Sequence, residues 1–276
     1  MKILYTTDLH GAAWKYDRLF DLACAHRPDA VVNGGDMLPY THGPSAQSDF
    51  IRGKLRSHFA EFDAIGVDYL CYLGNDDLRI WDGLFAETCG AFHGVHDIAQ
   101  NKAMVAGIEF IGMNWVADYP FRLKDRCRLD TPNGDIPPQM GSGLLSTHDG
   151  WHELDDWHAY AANLPTLADE LAALAAPSDP AWSVYVFHMP PSKLGLDVCH
   201  DGREVGSAAI YDFLAERRPR LSLHGHIHES PEISGAWKAD LDRTTCVQPG
   251  QCEEDCLIYV TVDTDSMEME RHKEKR

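Results

Sequence analysis

The sequence predicts an α/β protein built around parallel strands. Two observations carry that expectation. Short apolar runs alternate with helix-period stripes through the first 76 residues, and polar residues cluster immediately after the apolar runs. A chain of 276 residues suffices for one large domain or two small ones. It has no internal repeat and no linker, so a single domain is expected over residues 1–263, followed by a charged C-terminal tail at 264–276.

Ile3, Leu4, Tyr5 and Thr6 form the first apolar run, the length of a buried strand. Across residues 12–25, Tyr16, Leu19, Phe20 and Ala23 recur at i, i+3, i+4 and i+7, one face of a helix. Pro28 ends that helix, and Ala30-Val31-Val32 opens the next strand. A second helix pattern covers residues 47–64, and residues 69–73 make a third strand. Strand, helix, strand, helix, strand implies right-handed crossovers and parallel pairing. Residues 105–113 have the pattern of a hairpin or meander turning near Gly107. Residues 114–150 are rich in Pro and Gly with little periodicity, and a stretch that long is expected to be a functional loop or lid, or disordered. A helix is expected at 165–176 and a strand at 183–187. A helix follows at 207–217, with Ser207 as its N-cap and Pro219 beyond its end. Strands at 221–223, 245–247 and 257–262 complete the pattern, and the charged residues 268–276 are expected to fray.

Composition excludes several function classes. Asp plus Glu number 43 against 24 Lys plus Arg, a formal charge of −19. Such a chain is repelled by phosphate backbones and anionic bilayers, which argues against a nucleic-acid or membrane partner. No apolar run approaches the roughly 20 residues of a membrane span. The N-terminus starts as a strand rather than a signal peptide. The 8 cysteines follow no disulfide framework and are expected to be reduced thiols of a cytoplasmic protein. Cys246, Cys252 and Cys256 cluster without the partners a thiolate metal site requires.

The chemistry sits after the strands. The first runs into Asp8-Leu9-His10-Gly11, the second into Gly34-Gly35-Asp36, the third into Gly74-Asn75-Asp76-Asp77. The later ones end at His188 and at His224-Gly225-His226-Ile227-His228. In open α/β sheets, ligands bind outside the carboxyl ends of the strands. Asp8, His10, Asp36, Asn75, His188, His226 and His228 are therefore seven candidate metal ligands. Their oxygen and imidazole donors suit Zn²⁺, Mn²⁺ or Fe²⁺. Seven is too many for one tetrahedral ion and fits two metals sharing a carboxylate. The positive charge of two such ions favours an anionic substrate.

These motifs, in this order, resemble the calcineurin-like metallophosphoesterase superfamily over about residues 2–262. Gly206-Ser207, the segment from Gly225 to Ser230, and Gln248-Pro249-Gly250 look like those of predicted phosphoesterases related to the bacterial cyclic-AMP phosphodiesterase. The resemblance implies a four-layer α/β/β/α sandwich with two central mixed sheets. It implies that Asp8, His10 and His228 hold one divalent metal, that Asn75, His188 and His226 hold the other, and that Asp36 bridges both. The metals would be Mn²⁺, Fe²⁺/Fe³⁺ or Zn²⁺. A metal-bridging hydroxide would then hydrolyse a small phosphomonoester or phosphodiester. The oligomeric state stays open. The rival reading is a non-catalytic scaffold or interaction protein on the same fold, and a single-metal hydrolase is a third.

One departure matters. The family usually places a leaving-group His after the Asn; here Asp76 occupies that position. An ordinary carboxylate cannot donate a proton at neutral pH. This predicts weaker help for poor leaving groups, or recruitment of His148 or His200; the competing reading is that Asp76 and Asp77 simply start a helix, which for Asp77 is compatible with a functional role. Arg122, Lys124, Arg126 and Arg128 alternate through the long middle segment. They either contact substrate from a lid, with Arg122, Lys124 and Arg126 as binding residues, or pair with nearby acids. Trp115, Tyr119, Trp151 and Trp157 either floor a pocket or pack under this segment. Asp197 and His200 mark a polar turn or a substrate contact, and His224 a packing role.

Overall fold

The computed structural model describes residues 1–40, 44–132, 134 and 136–276. The first half runs β1 (Lys2–Thr6), α1 (Ala13–His26), β2 (Ala30–Asn33) and α2 (Pro44–Phe50). A π-helical stretch, Ile51–Leu55, joins α2 to α3 (Arg56–Ile65); β3 (Asp68–Cys71), α4 (Asp82–Cys89) and β4 (Val95–Asp97) follow. A hairpin of β5 (Lys102–Val105) and β6 (Ile108–Met113) leads to the short β7 (Val116–Ala117) and β8 (Cys127–Arg128). Next come β9 (Gly143–Thr147), β10 (Gly150–Leu154), α5 (Trp157–Ala161), α6 (Leu167–Ala173), β11 (Ser183–Phe187) and α7 (Ala208–Arg217). The chain closes with β12 (Leu221–Leu223), α8 (Ser230–Ser234), β13 (Lys238–Leu241), β14 (Thr244–Val247), β15 (Cys256–Asp263) and β16 (Met269–Lys275).

Two six-stranded sheets result. The first has the order β16-β15-β1-β2-β3-β4, and the second β13-β14-β12-β11-β6-β5. In the first, β1 to β4 run parallel, with Ile3 opposite Ala30 and Ala30 opposite Asp68. In the second, β14, β12, β11 and β6 run parallel between antiparallel edges. Period-two alternation gives each sheet two apolar faces. Ile3, Tyr5, Val32 and Leu70 meet Phe110, Val184, Val186 and Leu223 in a core between the sheets. Leu4, Val31 and Tyr69 face the other way, against Tyr16 and Leu19 of α1, Phe59 and Phe62 of α3 and Phe85 of α4. Tyr185 and Phe187 likewise face Leu167 of α6 and Ile210 of α7. Helix, sheet, sheet, helix is the expected four-layer sandwich. Ser207 caps α7 by accepting from the Ile210 N–H at 3.0 Å.

Two expectations need correction. Residues 114–150 are not one featureless loop. They hold β7, β8 and the first strand of the β9–β10 hairpin, in which Trp151 pairs with Ser146 and His152 with Leu145. Lys124 N–H donates to the Leu144 carbonyl at 2.9 Å, tying the segment together; Asn133 and Asp135 lie outside the described residues. Ser146, Thr147, His152 and Glu153 gave the hairpin no apolar pattern. The C-terminal residues do not fray either. β16 pairs with β15 from Met269 opposite Val262 to Lys275 opposite Cys256. Its charges are those of a protected sheet edge. Arg271 reaches Glu232 at 2.8 Å, and Lys273 bridges Glu232 at 2.7 Å and Glu253 at 3.0 Å.

His58 on α3 is fully buried among aromatic rings. Its ring meets Tyr16, Phe62 and Tyr69 edge-on at 5.1, 4.8 and 5.3 Å. Neither ring nitrogen has a hydrogen-bond partner among the described residues. Burial, with Lys54 nearby, pushes its pKa from 6.5 down to about 3. The unfolded chain therefore binds a proton below about pH 6.5 that the folded chain refuses, so stability falls as pH drops from there toward 3. His58→Phe removes two unsatisfied nitrogens from an aromatic nest. We expect it to stabilise the fold by about 1–2 kcal/mol at pH 7. Below pH 6 the gain should widen by up to about 1.4 kcal/mol per pH unit. Urea unfolding of both proteins across pH 5–8 checks this; a constant gap would mean that His58 stays neutral in both states.

Candidate metal centre

The parallel strands of both sheets deliver their carboxyl ends to one crevice. β1 leads into Asp8 and His10, β2 into Asp36, β3 into Asn75, β11 into His188, and β12 into His226 and His228. The loops are stitched backbone to backbone: Asp8 N–H to the Gly35 carbonyl at 3.0 Å, His10 N–H to Asp36 at 2.9 Å, Gly225 N–H to His188 at 2.9 Å. Asp8, His10, Asp36 and His226 have φ of 56°, 42°, 50° and 70°. Left-handed backbone is uncommon outside glycine, costs roughly 1–3 kcal/mol per residue, and gathers at functional sites. Two glycines permit the close approach. A Cβ on Gly74 would stand 2.2 Å from an Asp36 carboxylate oxygen, and one on Gly225 would stand 2.7 Å from an Asp8 oxygen.

Donor atoms of Asp8, His10, Asp36 and His228 all lie within 4.8 Å of one another. His228 Nε2 is 3.1 Å from His10 Nε2 and 3.4 Å from Asp8 Oδ1. On the other side, Asn75 Oδ1 lies 2.9 Å from His188 Nε2 and 2.6 Å from His226 Nδ1. Asp36 stands between the groups, its Oδ2 3.9 Å from His10 Nε2 and 3.3 Å from His188 Nε2. All seven residues singled out as ligands thus meet in one place. His188 Nδ1 lies 2.7 Å from the Gly34 carbonyl, which accepts its N–H and so keeps the proton on Nδ1. Its Nε2 then faces the oxygens of Asp36 and Asn75 with a lone pair. Only a proton or a metal ion reconciles lone pairs so placed, so the donor set fits divalent cations.

The electrostatics agree. Burial opposes charge on His188, yet the Asp36 and Asp8 carboxylates push its pKa up to about 9. Burial would raise Asp36, but His188 and His10 hold it well below the usual carboxylate range. Asp8 is also lowered against its burial, by His228 and His188. Burial takes His10 down to about 4 and His226 to about 3, leaving neutral imidazoles of the kind a metal binds. Burial first and the Asp36 charge second push Asp76 up to about 8. Cations held by the neighbouring carboxylates would pull it down again.

Several buried residues hold the ligands in place. Asp77 accepts the N–H groups of Met37 at 2.9 Å, Leu38 at 2.8 Å and Gly74 at 2.7 Å, joining the loops of Asp36 and Asn75. Asp76 Oδ1 accepts from Asn75 Nδ2 at 2.9 Å, which turns the amide oxygen toward the imidazoles. His224 Nδ1 sits 3.1 and 3.0 Å from the Phe187 and Met189 carbonyls, bracketing His188, in keeping with the packing role expected. Gln248 Nε2 donates to the Gly225 carbonyl at 3.1 Å and the Ile227 carbonyl at 2.5 Å. Sequence reasoning matched Gln248-Pro249-Gly250 to a family segment but gave Gln248 no such role.

The basic alternation does not reach the cleft. Lys124 is buried against Asp118 at 2.7 Å and Arg126 against Asp82, while Arg122 pairs with Glu153 at 2.8 Å on the surface. The expectation of substrate contact by Arg122, Lys124 and Arg126 is therefore corrected. Each charge is already answered by a carboxylate, and the Lys124 and Arg126 side chains are themselves buried. Arg126 also donates to the Gly74 carbonyl at 2.7 Å, behind the Asn75 loop. Arg128 pairs with Glu170 at 2.9 Å, its guanidinium 3.7 Å over Trp115. His148 packs edge-on against Trp81 at 5.5 Å. Asp197 accepts the Gly206 N–H at 2.7 Å, as a turn residue would. Of the four aromatics in the middle segment, only Tyr119 borders the crevice. Tyr40, which no pattern singled out, stacks on His10 at 4.0 Å and 12°, with its hydroxyl 3.0 Å from Nε2. All eight cysteines are free thiols. No described helix is long and apolar enough to cross a membrane.

Two facing mixed sheets with a His, Asp and Asn crevice at their joined carboxyl edges define a class of metal-binding α/β protein. The chain belongs to the calcineurin-like phosphoesterase family, whose sequence model matches residues 1–230. Among solved structures, TT1561 of Thermus thermophilus shares the fold with a TM-score of 0.59 at 17% identity, covering 98% of this chain and 97% of that one. A dimetal phosphatase from Danio rerio matches with a TM-score of 0.51 at 11% identity, over 95% and 91% of the two chains. No curated protein matches the sequence.

Proposed function

We propose that this protein is a phosphoric ester hydrolase that uses two divalent metals on a small phosphomonoester or phosphodiester. The observation that carries it is the division of seven donors into two groups about Asp36. Asp8, His10 and His228 would hold one ion, and Asn75, His188 and His226 the other, with Asp36 between them. Family membership and the fold shared with a dimetal phosphatase from Danio rerio support this reading. The ions would supply a water of lowered pKa and neutralise charge on the phosphoryl oxygens. The chain's own residues do the rest. Gly34 fixes the His188 tautomer, Asp76 orients the Asn75 amide, and Asp77 keeps both loops in register. Asp76 also borders the cleft where the family's usual His would assist the leaving group, so esters of acidic alcohols and phenols should be the better substrates. The set of free thiols favours a reducing, cytoplasmic setting.

The scaffold alternative keeps the same fold without turnover. The complete donor set and the strained backbone beneath it favour catalysis. Chelator-stripped protein reloaded with Mn²⁺ is expected to bind about two ions per chain and to hydrolyse aryl phosphomonoesters or phosphodiesters only when loaded. Two bound ions with no turnover of any ester would favour the scaffold. One ion with turnover would favour a single-metal hydrolase.

A further inference from the structure

A cleft of about 830 Å³ leads from Asp36, Asn75 and His226 to the surface. One wall is Tyr40, stacked on His10 and 62% exposed. The opposite wall begins with Tyr119, whose ring lies 5.8 Å from that of His226. It continues through Phe121, 5.9 Å further and also 62% exposed, to Met140. Met189 and Ile227 border the cleft between them. Large apolar side chains held at the surface around a polar centre are the mark of a surface built for an apolar group.

The charge pattern of the outer cleft is one-sided. Among the described residues that border it beyond the metal ligands and Asp76, Asp118, Asp130, Glu204 and Glu229 are acidic and only Arg203 is basic. Asp118 is answered by Lys124, and Asp130 accepts from Ser207 and the Ala208 N–H at the start of α7. Arg203 is paired with Asp201 at 2.7 Å. Glu204 and Glu229 have no ion-pair partner among the described residues. Lys124 and Arg126, which could have received a second anionic group, are buried in their own pairs. Attraction for an anion would thus be confined to the metal ions that the donor set holds, and the outer cleft repels one.

We infer that this cleft selects phosphoesters carrying a single phosphoryl group on a flat aromatic body that is neutral or cationic, and rejects substrates with a second anionic group. This rests on the phosphoesterase reading for its chemistry, but the selectivity belongs to the cleft walls and is measurable without turnover. Benzylphosphonates cannot be hydrolysed at the ester position, because a carbon replaces the bridging oxygen. The Mn²⁺-loaded protein is titrated by calorimetry with methylphosphonate, benzylphosphonate, 4-(aminomethyl)benzylphosphonate and 4-carboxybenzylphosphonate.

Benzyl should bind about tenfold more tightly than methyl. The aminomethyl compound should bind at least about tenfold more tightly than the carboxylate, with the gap shrinking in high salt. Phe121→Ala should reduce the benzyl advantage, and Glu229→Gln the charge discrimination; both side chains are at least partly exposed, so the fold should tolerate them. Equal affinity for the three benzyl compounds, or a preference for the carboxylate, would overturn the inference. Hydrolysis of phenyl phosphate is followed in parallel. Ordered phosphonate binding without hydrolysis keeps the cleft assignment and removes the phosphoesterase reading. Hydrolysis without the order does the reverse, and a failure of every phosphonate to bind overturns the cleft assignment outright.

Discussion

Asp36→Asn is expected to reduce turnover by at least about a thousand-fold, roughly 4 kcal/mol of transition-state stabilisation. Bound metal should fall from about two ions per chain to one or fewer. The size of the effect follows from position. Asp36 Oδ2 stands 3.9 Å from His10 and 3.3 Å from His188, one in each donor group, while Oδ1 accepts the Asp76 N–H at 2.9 Å. Asparagine can keep the last contact and nearly the same volume, so the fold should survive. It loses the negative charge and puts an amide N–H₂ where an ion would sit. Metal analysis and aryl phosphate hydrolysis check the expectation, with circular dichroism to confirm folding. A variant that keeps two ions and acts within tenfold of the parent would remove Asp36 from the bridging position.

Asp77→Asn should act through the frame instead. The carboxylate receives three backbone N–H groups, one at Oδ1 and two at Oδ2, and is fully buried. An amide offers one acceptor and aims its own N–H₂ at donors that then have no partner. With about 1–3 kcal/mol lost for each orphaned buried donor, the fold should lose roughly 3–5 kcal/mol. Metal affinity should fall as well, because the loops bearing Asp36 and Asn75 lose their common anchor. Urea unfolding of the chelated protein isolates the first effect, and metal titration the second. Unchanged stability with weakened metal binding would mean that Asp77 acts on the site alone.

The parts legible in the sequence share one physical cause. A strand buried on both faces must be apolar throughout, so Ile3 to Thr6 and Ser183 to Phe187 stand out. A functional residue just past such a strand breaks the run abruptly, as Asp8 and His188 do. Which strands belong to which sheet was not visible in those runs, because pairing is a long-range choice. The family resemblance implied two sheets, and the structure assigns the strands to them. Charge was a poor guide twice. The charges of β16 looked like a frayed, solvated tail, yet Arg271 and Lys273 are matched to acids brought near by folding; for residues 122–128, of the two readings open, substrate contact gave way to pairing with acids at Lys124 and Arg126. Nothing local marks such a match. Tyr40 and Gln248 were silent for a similar reason: each matters through a neighbour, His10 or Gly225, far away in the chain.

The donors come from both ends of the chain. His10 and His228 face each other across 218 positions of sequence. The first strand, β1, gains its antiparallel neighbour only from β15. During synthesis, a nascent chain that has completed β1 to β4 therefore holds four of the seven donors and an unpaired strand edge. The remaining three donors arrive with β11 and the residues after β12, and the edge closes later still. A truncated product that ends after β4 and before residue 228 would expose carboxylates gathered near one another together with an open sheet edge, which makes it a ready target for aggregation or proteolysis. If His228 holds a metal as proposed, full metal loading would report synthesis and folding at least as far as residue 228.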